Sequence, residues 1–447
     1  MIHIRRSFAI LTARVFSRVC RLLGKQGVTM AGKLAMKIDP SILKDLAGQV
    51  RSGIFVVCGT NGKTTTNNLL CSALEAEGKK VICNHTGSNM LMGVAAAFVL
   101  AADSRGKLDA DYACIEIDEA SAVKVFPWFK PDYMVITNLF RDQLDRYGEI
   151  DITMDLLLKA IHMAPDMKLI VNGDDPLAYY MASKSGNRYI TYGISEKVLD
   201  SGSSHEVREG RYCENCGEEL VYDFYHFGQM GVYHCPKCGF KRPEIDYDAS
   251  HIDMSHALSF DVEGRHIDCN YRGFYNIYNI LACYAAARTA GFELNNFETV
   301  LENYNPQNGR NEIFRIGESK VLLNLAKNPA GFNQNISSVM QDEQPKDIII
   351  VINDNAQDGR DISWLWDVDF DRMADPSVRS ITVSGIRCQD MRLRLKYVDI
   401  PSELIPDVRT AIEKRLKDGC KNLYVLVNYT ALYSTHNILK QMEEAAG

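Results

Sequence analysis

The sequence predicts a multi-domain α/β protein: a basic helical arm over 1–48, a central α/β domain over 49–306 with a cysteine-rich insertion at about 205–245, and a Rossmann-like α/β domain over 307–447. Three observations carry this reading. The apolar run Ile54–Cys58 leads straight into the glycine turn Gly59-Thr60-Asn61-Gly62-Lys63-Thr64-Thr65, and a helix-forming stretch follows. Two Cys-x-x-Cys-Gly units stand close enough to share one centre. Apolar runs near Ile349, Ile381 and Tyr424 read as strands of a second, smaller sheet.

The arm comes first. Arg5, Arg6, Arg14, Arg18, Arg21, Lys25, Lys33 and Lys37 lie between Met1 and Lys37 with no acid among them, and apolar residues interleave at helical spacing. Two readings stand side by side: a helix packed on its own domain with a basic outer face, or a segment lying on anionic lipid. It lacks the long apolar centre of a secretory signal, although an organelle transit peptide has a similar composition. Across the whole chain, 46% of residues are apolar and 24% charged, as in ordinary globular proteins. No run of 18 apolar residues occurs, which argues against a spanning helix. A net charge of -7 argues against a broad nucleic-acid surface. Of the 13 cysteines, nine are scattered singly, as with Cys58, Cys71, Cys114 and Cys283, and read as small buried hydrophobes in a reducing compartment. The expected location is therefore the cytoplasm, with peripheral contact at the inner face of the plasma membrane if the arm meets lipid.

The glycine turn is the strongest chemical signal. Its glycines let backbone N–H groups close around phosphate oxygens at the start of a helix, Lys63 reaches the β/γ-phosphates, and the Thr64 hydroxyl is a Mg²⁺ ligand. The usual motif has a glycine five places before Gly62, and Val57 stands there instead, so the turn is a short variant. The strand Tyr112–Ile117 ends in acids, which puts Glu116 first as a second Mg²⁺ ligand. Glu119 reads as a surface acid, and Asp118 is the weaker candidate.

In Cys213-x-x-Cys216-Gly217 and Cys235-x-x-Cys238-Gly239, 18 residues lie between Cys216 and Cys235. Two tight turns then aim four thiolates at one Zn²⁺, and with every place taken by cysteine the metal is structural. Tyr222–Phe227 and Gly231–His234 read as the strands of this zinc ribbon. Disulfides and a redox Cys-x-x-Cys pair are the competing readings.

Further along stand Thr137-Asn138, then Asp142-Gln143-Leu144-Asp145-Arg146-Tyr147-Gly148, Asn172-Gly173-Asp174-Asp175-Pro176, and Gly273-Phe274-Tyr275-Asn276-Ile277-Tyr278-Asn279. Together with GTNGKTTT and the Glu116 strand, these segments resemble the Mur ligase family in order and spacing. The resemblance implies ATP-dependent conversion of a carboxylate to an acyl phosphate, which an amine then attacks. It places Asn276 or Asn279 near adenine, with helix capping as the alternative, and Arg310 on a phosphate. Asn324–Gly331 is similar to another loop of the family. Gln143 stands where amino-acid-adding members carry a histidine, and Lys159 is a poor match for their carbamylated lysine. The ribbon is also foreign to those members.

The ribbon and the stretch Asn353–Trp364 are similar to the branch of the family that works with a separate class I glutaminase subunit (GatD-like), as a heterodimer. That likeness implies amidation of the D-glutamate α-carboxylate in the stem peptide of lipid II, with ATP, Mg²⁺ and structural Zn²⁺. It also implies that an aspartate leaving the strand Asp347–Ile352 completes the partner's Cys–His pair, Asp361 first, then Asp354 and Asp358; a turn held by an arginine ion pair is the bland alternative. A free-standing Mur-type or folylpolyglutamate-type ligase is the second enzyme reading, and a zinc-ribbon regulatory NTPase the third. His85–Asn89 is expected on a substrate-facing loop.

Overall fold

Strand-forming runs and helix starts recur along the chain, and in the computed structural model they assemble two units. The structure describes residues 2–22, 27–85, 87–142, 150–198, 209–255, 257–270, 273–304, 312–355 and 357–446. One unit comprises Met1–Phe140, Ile150–Leu199 and Gly210–Tyr304, and the other Arg141–Glu149, Asp200–Glu209 and Asn305–Gly447.

The first unit opens with three helices, α1 (Ile2–Leu22), α2 (Val28–Ile38) and α3 (Ile42–Ala47). Its sheet then builds from β1 (Gly53–Cys58), β2 (Val81–Cys83), β3 (Tyr112–Glu116), β4 (Tyr133–Ile136), β5 (Lys168–Asn172) and β6 (Tyr189–Ile194). Between these strands run α4 (Lys63–Ala76), α5 (Leu91–Ala101), α6 (Glu119–Val125), α7 (Ile150–His162) and α8 (Pro176–Ser185). A separate antiparallel hairpin, β7 (Val221–Phe227) and β8 (Met230–His234), precedes β9 (Tyr247–Asp253), β10 (Leu258–Val262) and β11 (Arg265–Cys269). Helices α9 (Tyr275–Thr289) and α10 (Phe297–Asn303) close the unit.

The strand order is β11-β10-β9-β6-β5-β4-β1-β3-β2. Strands β1 to β6 and β9 pair in parallel, but β10 runs against β9 and β11 against β10, so the sheet is a mixed one. The cause is local: Glu263 (φ 51°) and Gly264 (φ 74°) both take positive φ in a two-residue turn, the backbone that returns a chain as a hairpin. Strand β1 lies wholly buried between β3 and β4, so the ends of all three converge where the sheet order reverses, the usual place for a ligand in such folds.

The second unit has β12 (Glu312–Ile316), β13 (Ser319–Leu325), β14 (Lys346–Val351), β15 (Val378–Ser384), β16 (Glu403–Leu404) and β17 (Asn422–Val427), ordered β12-β13-β17-β14-β15-β16. All pairings are parallel except the β12–β13 hairpin. Along β14 the side chains alternate between two cores: Ile348, Ile350 and then Ile352 join Phe332 and Phe370, whereas Ile349 and Val351 join Ala411 and Ile412. Helices α11 (Pro329–Met340), α12 (Cys388–Lys396), α13 (Val408–Lys417) and α14 (Tyr429–Ala446) cover the sheet. The terminal helix contains His436, whose Nε2 lies 3.0 Å from Glu312 Oε1. Among the described residues no helix is long and apolar enough to cross a membrane.

Candidate active site

The glycine turn joins β1 to α4. Gly59 has φ 120° and Gly62 φ 85°, and both positions are also crowded. A Cβ on Gly59 would lie 2.2 Å from Thr137 Oγ1, and one on Gly62 2.1 Å from Asn279 Oδ1. Only glycine meets both demands. Segment Thr137-Asn138, after β4, rivets the turn. Thr137 Oγ1 donates to Asn61 O at 2.7 Å, Asn61 N donates to Asn138 Oδ1 at 2.9 Å, and Thr60 N donates to Asn138 O at 2.8 Å.

At the start of α4 the Thr64 hydroxyl donates to Glu116 Oε2 at 2.6 Å, joining the two oxygens expected to share a cation. Asn89, from the expected substrate-facing loop, donates to the other Glu116 oxygen at 3.0 Å. Lys63 is buried, donates to Gly59 O and Thr60 O, and pairs with Glu119 Oε1 at 2.9 Å. Glu119 also accepts the Gly59 N–H at 2.8 Å. It is therefore a buried member of the site and not a surface acid, because α6 starts directly after β3 and turns its first acid toward the neighbouring β1 turn. Burial by itself lowers the Lys63 pKa; Glu119, Glu116 and Asp118 outweigh it and hold the ammonium above its ordinary value.

Asn276 and Asn279 lie on α9, whose N-cap is Phe274, so neither asparagine caps the helix. Both are buried, and Asn279 Nδ2 donates to Asn276 Oδ1 at 3.1 Å. Asn279 thus belongs with the turn through its close approach to Gly62. Arg310 and Gln143 lie outside the described residues. Lys159 sits in the last turn of α7.

The four thiols of Cys213, Cys216, Cys235 and Cys238 lie within 4.8 Å of one another, and all 13 cysteines are free. Sγ separations of 3.5 Å for Cys213–Cys238 and Cys216–Cys235 are near the ~3.8 Å edge of a tetrahedron with ~2.3 Å Zn–S bonds. The two knuckles repeat each other: Gly217 N donates to Cys213 O and Gly239 N to Cys235 O, with φ 73° and 77°. Backbone N–H groups of Cys238 and Lys237 pull the Cys235 thiol down to about 6. The donor set fits a closed S₄ zinc site. Cys71 is buried as expected, yet its thiol also lies within 4.8 Å of the Cys83 and His85 donor atoms.

The hairpin above the knuckles does not stand apart from the glycine turn. Its tip residue Gln229, fully buried, donates to Leu139 O at 2.6 Å and to Asp175 Oδ1 at 2.9 Å. The next residue, Phe140, donates its N–H to Thr60 Oγ1, and that hydroxyl donates to Phe140 O, each at 2.9 Å. A continuous bonded path therefore links the hairpin and the glycine turn. Sequence reasoning missed Glu119 and Gln229. The Asp-Glu ending of the β3 segment was a signal for Glu119; nothing local marks Gln229.

In the second unit, the three loop aspartates after β14 have different partners. Asp358 is buried and accepts from Thr430 N at 2.7 Å, fastening the loop to the start of α14. Asp354 pairs with Arg387 through two nitrogens at 2.8 and 2.7 Å. Among the described residues, the half-buried Asp361 accepts the local Ser363 N–H at 2.8 Å.

Two family models match: the Mur ligase middle domain over residues 57–287 and the MurT ligase C-terminal domain over residues 325–432. A curated relative from Staphylococcus aureus (strain COL), the MurT subunit of glutamine-hydrolysing lipid II isoglutaminyl synthase, is 38% identical over 96% of both chains. The chain belongs to the Mur ligase family, in its MurT branch. The corresponding MurT subunit of Streptococcus pneumoniae (strain ATCC BAA-255 / R6) is 34% identical over 98% of this chain and 97% of its own. Solved Mur ligases share the fold. A pseudomurein peptide ligase type C from Methanothermus fervidus matches with TM-score 0.69 and 21% identity over 89% of this chain and 80% of its own. MurF ligase from Thermotoga maritima, solved in complex with ADP, matches with TM-score 0.61 and 12% identity over 93% and 85%. Membership in the Mur ligase family brings ATP and Mg²⁺ as the chemistry of the site.

Proposed function

We propose that this chain is the ligase subunit of a glutamine-hydrolysing amidotransferase that converts the D-glutamate α-carboxylate of the lipid II stem peptide to D-isoglutamine in peptidoglycan synthesis. The observation that carries this reading is the 34–38% identity to MurT subunits over nearly the whole chain. The carboxylate oxygen attacks the γ-phosphorus of ATP and ADP departs; ammonia then attacks the acyl carbon of the acyl phosphate, releasing phosphate and a proton. Backbone N–H groups from Gly62 to Thr65, at the start of α4, receive the phosphates, and Lys63 offsets the charge that develops on them. Thr64 and Glu116 would hold Mg²⁺, which would withdraw charge from the phosphates. Asn276 and Asn279 border the nucleotide on the Gly62 side. The four cysteines hold a structural Zn²⁺ in an inserted ribbon.

Ammonia is supplied by a GatD-like class I glutaminase bound to the domain over 307–447, in a heterodimer. Asp361 orients the partner's histidine, a reading supported by the commitment of Asp354 and Asp358 to Arg387 and Thr430. The arm over 1–48 and the central domain over 49–306 present the site to a lipid-linked substrate at the inner face of the plasma membrane. The test is direct: the purified chain with lipid II, ATP and ammonium yields a product whose mass reflects replacement of OH by NH₂. ATP consumption with no change in lipid II mass would overturn the proposal.

A further inference from the structure

Helix α1 has two unlike faces. Ala9, Ile10, Ala13 and Ser17 are buried, and Arg6 on this side pairs with Asp45. On the other side Ile4, Phe8, Leu11, Val15, Val19 and Leu22 recur at steps of three and four residues and are 47–87% exposed. At about 100° per residue these six side chains fall within an arc of about 80°, opposite the buried set. The outer face is thus an apolar stripe rather than the basic face of the first of the two sequence readings. Arg5, Arg18 and Arg21 are exposed beside it, Lys33 and Lys37 are exposed on α2, and the first acid in the chain is Asp39.

We propose that α1 is a membrane-docking helix that lies in the interface of an anionic bilayer, its stripe among the acyl chains and its arginines at the lipid phosphates. Its charges and modest apolarity preclude spanning, and no described helix qualifies as a span. A continuous apolar stripe flanked only by cations is complementary to one kind of surface, apolar below and anionic at the rim. A protein partner of like chemistry would need an acidic border around an apolar groove. The purpose assigned to this docking, holding the ligase beside a lipid-anchored substrate, rests on the function proposed above, but the binding itself does not.

The test is sedimentation of the full-length chain with phosphatidylcholine vesicles, with and without added phosphatidylglycerol. Wild type should pellet with the anionic vesicles, less at high salt. Phe8→Ser with Leu11→Ser should cut partition by at least about tenfold. Arg5→Gln, Arg18→Gln and Arg21→Gln should each cost roughly fivefold on anionic vesicles alone. Phe8, Leu11, Arg18 and Arg21 are exposed, so melting temperatures of their variants should stay unchanged, whereas Arg5→Gln also removes the bond from Arg5 Nε to Ile38 O; Val19→Glu gives an independent second reading of the stripe. Undiminished pelleting of the stripe variants would overturn the inference, as would a stripe-dependent dimer or glutaminase complex without vesicle binding. Failure of the ligase reading looks different: vesicle binding persists while lipid II is never amidated. If both hold, Phe8→Ser with Leu11→Ser slows amidation of vesicle-embedded lipid II and spares a water-soluble analogue.

Discussion

Lys63 is a buried cation with Glu119, Glu116 and Asp118 around it, so its removal has two consequences. Lys63→Ala should abolish amidation with either nitrogen source and, by leaving Glu119 buried without its partner, lower stability by about 3–5 kcal/mol. Combining it with Glu119→Gln should restore most of that stability and none of the activity. A double variant as unstable as the single one would show that the pair is not where the energy lies. Asp175 is a second informative residue. Burial raises its pKa from 3.8 to about 6, against the hydrogen bonds from Gln229, Leu139 and Leu177 that favour the anion. The folded state therefore holds its proton more tightly than the unfolded chain. Its contribution is fully present below about pH 4 and lost as pH rises through about 6, amounting to about 3 kcal/mol. The stability gap between wild type and Asp175→Asn, from urea midpoints, should narrow by that amount between pH 4 and pH 7. A constant gap would mean that Asp175 does not titrate in this window.

The β7–β8 hairpin is an element with a reach beyond the four thiols beside it. Gln229 at its tip holds Leu139, and Phe140 holds Thr60 of the phosphate turn. Opening the knuckles with Cys213→Ser should thus release zinc and weaken ATP binding several-fold, as expected if about 1 kcal/mol of the turn's order is lost. Gln229→Ala should have the same effect on ATP with zinc retained, since it breaks the path at the tip. Unaltered ATP affinity after verified zinc loss would show that the tip seats itself without the ribbon.

At the scale of the whole molecule, the proposed reaction divides between two polypeptides, and Asp361 is the residue that separates their contributions. Asp361→Asn should depress glutamine-driven amidation by at least about a hundredfold while ammonium-driven amidation stays near wild type. Equal loss with both nitrogen sources would remove Asp361 from the partner's triad. Asp358→Asn should instead lower the melting temperature, because its carboxylate fastens the loop to Thr430 at the start of α14.

The amino-acid sequence by itself determined the phosphate turn, the four-thiol centre, the Glu116 strand end and the acidic loop after β14. In each case the chemistry sits within a few consecutive residues, where covalent spacing sets the geometry. The tertiary structure alone decided the rest. Lys63 meets Glu119 across 56 residues, Gln229 meets Leu139 across 90, and Asp358 meets Thr430 across 72, separations at which spacing carries no information. The mixed sheet belongs between the two, since the Glu263-Gly264 turn is local but its joining to β9 is not. Periodicity alone shows apolar positions on α1 without telling inside from outside. Only the packing of α1 on its own unit turned one set of them inward and left Phe8, Leu11 and their neighbours facing water.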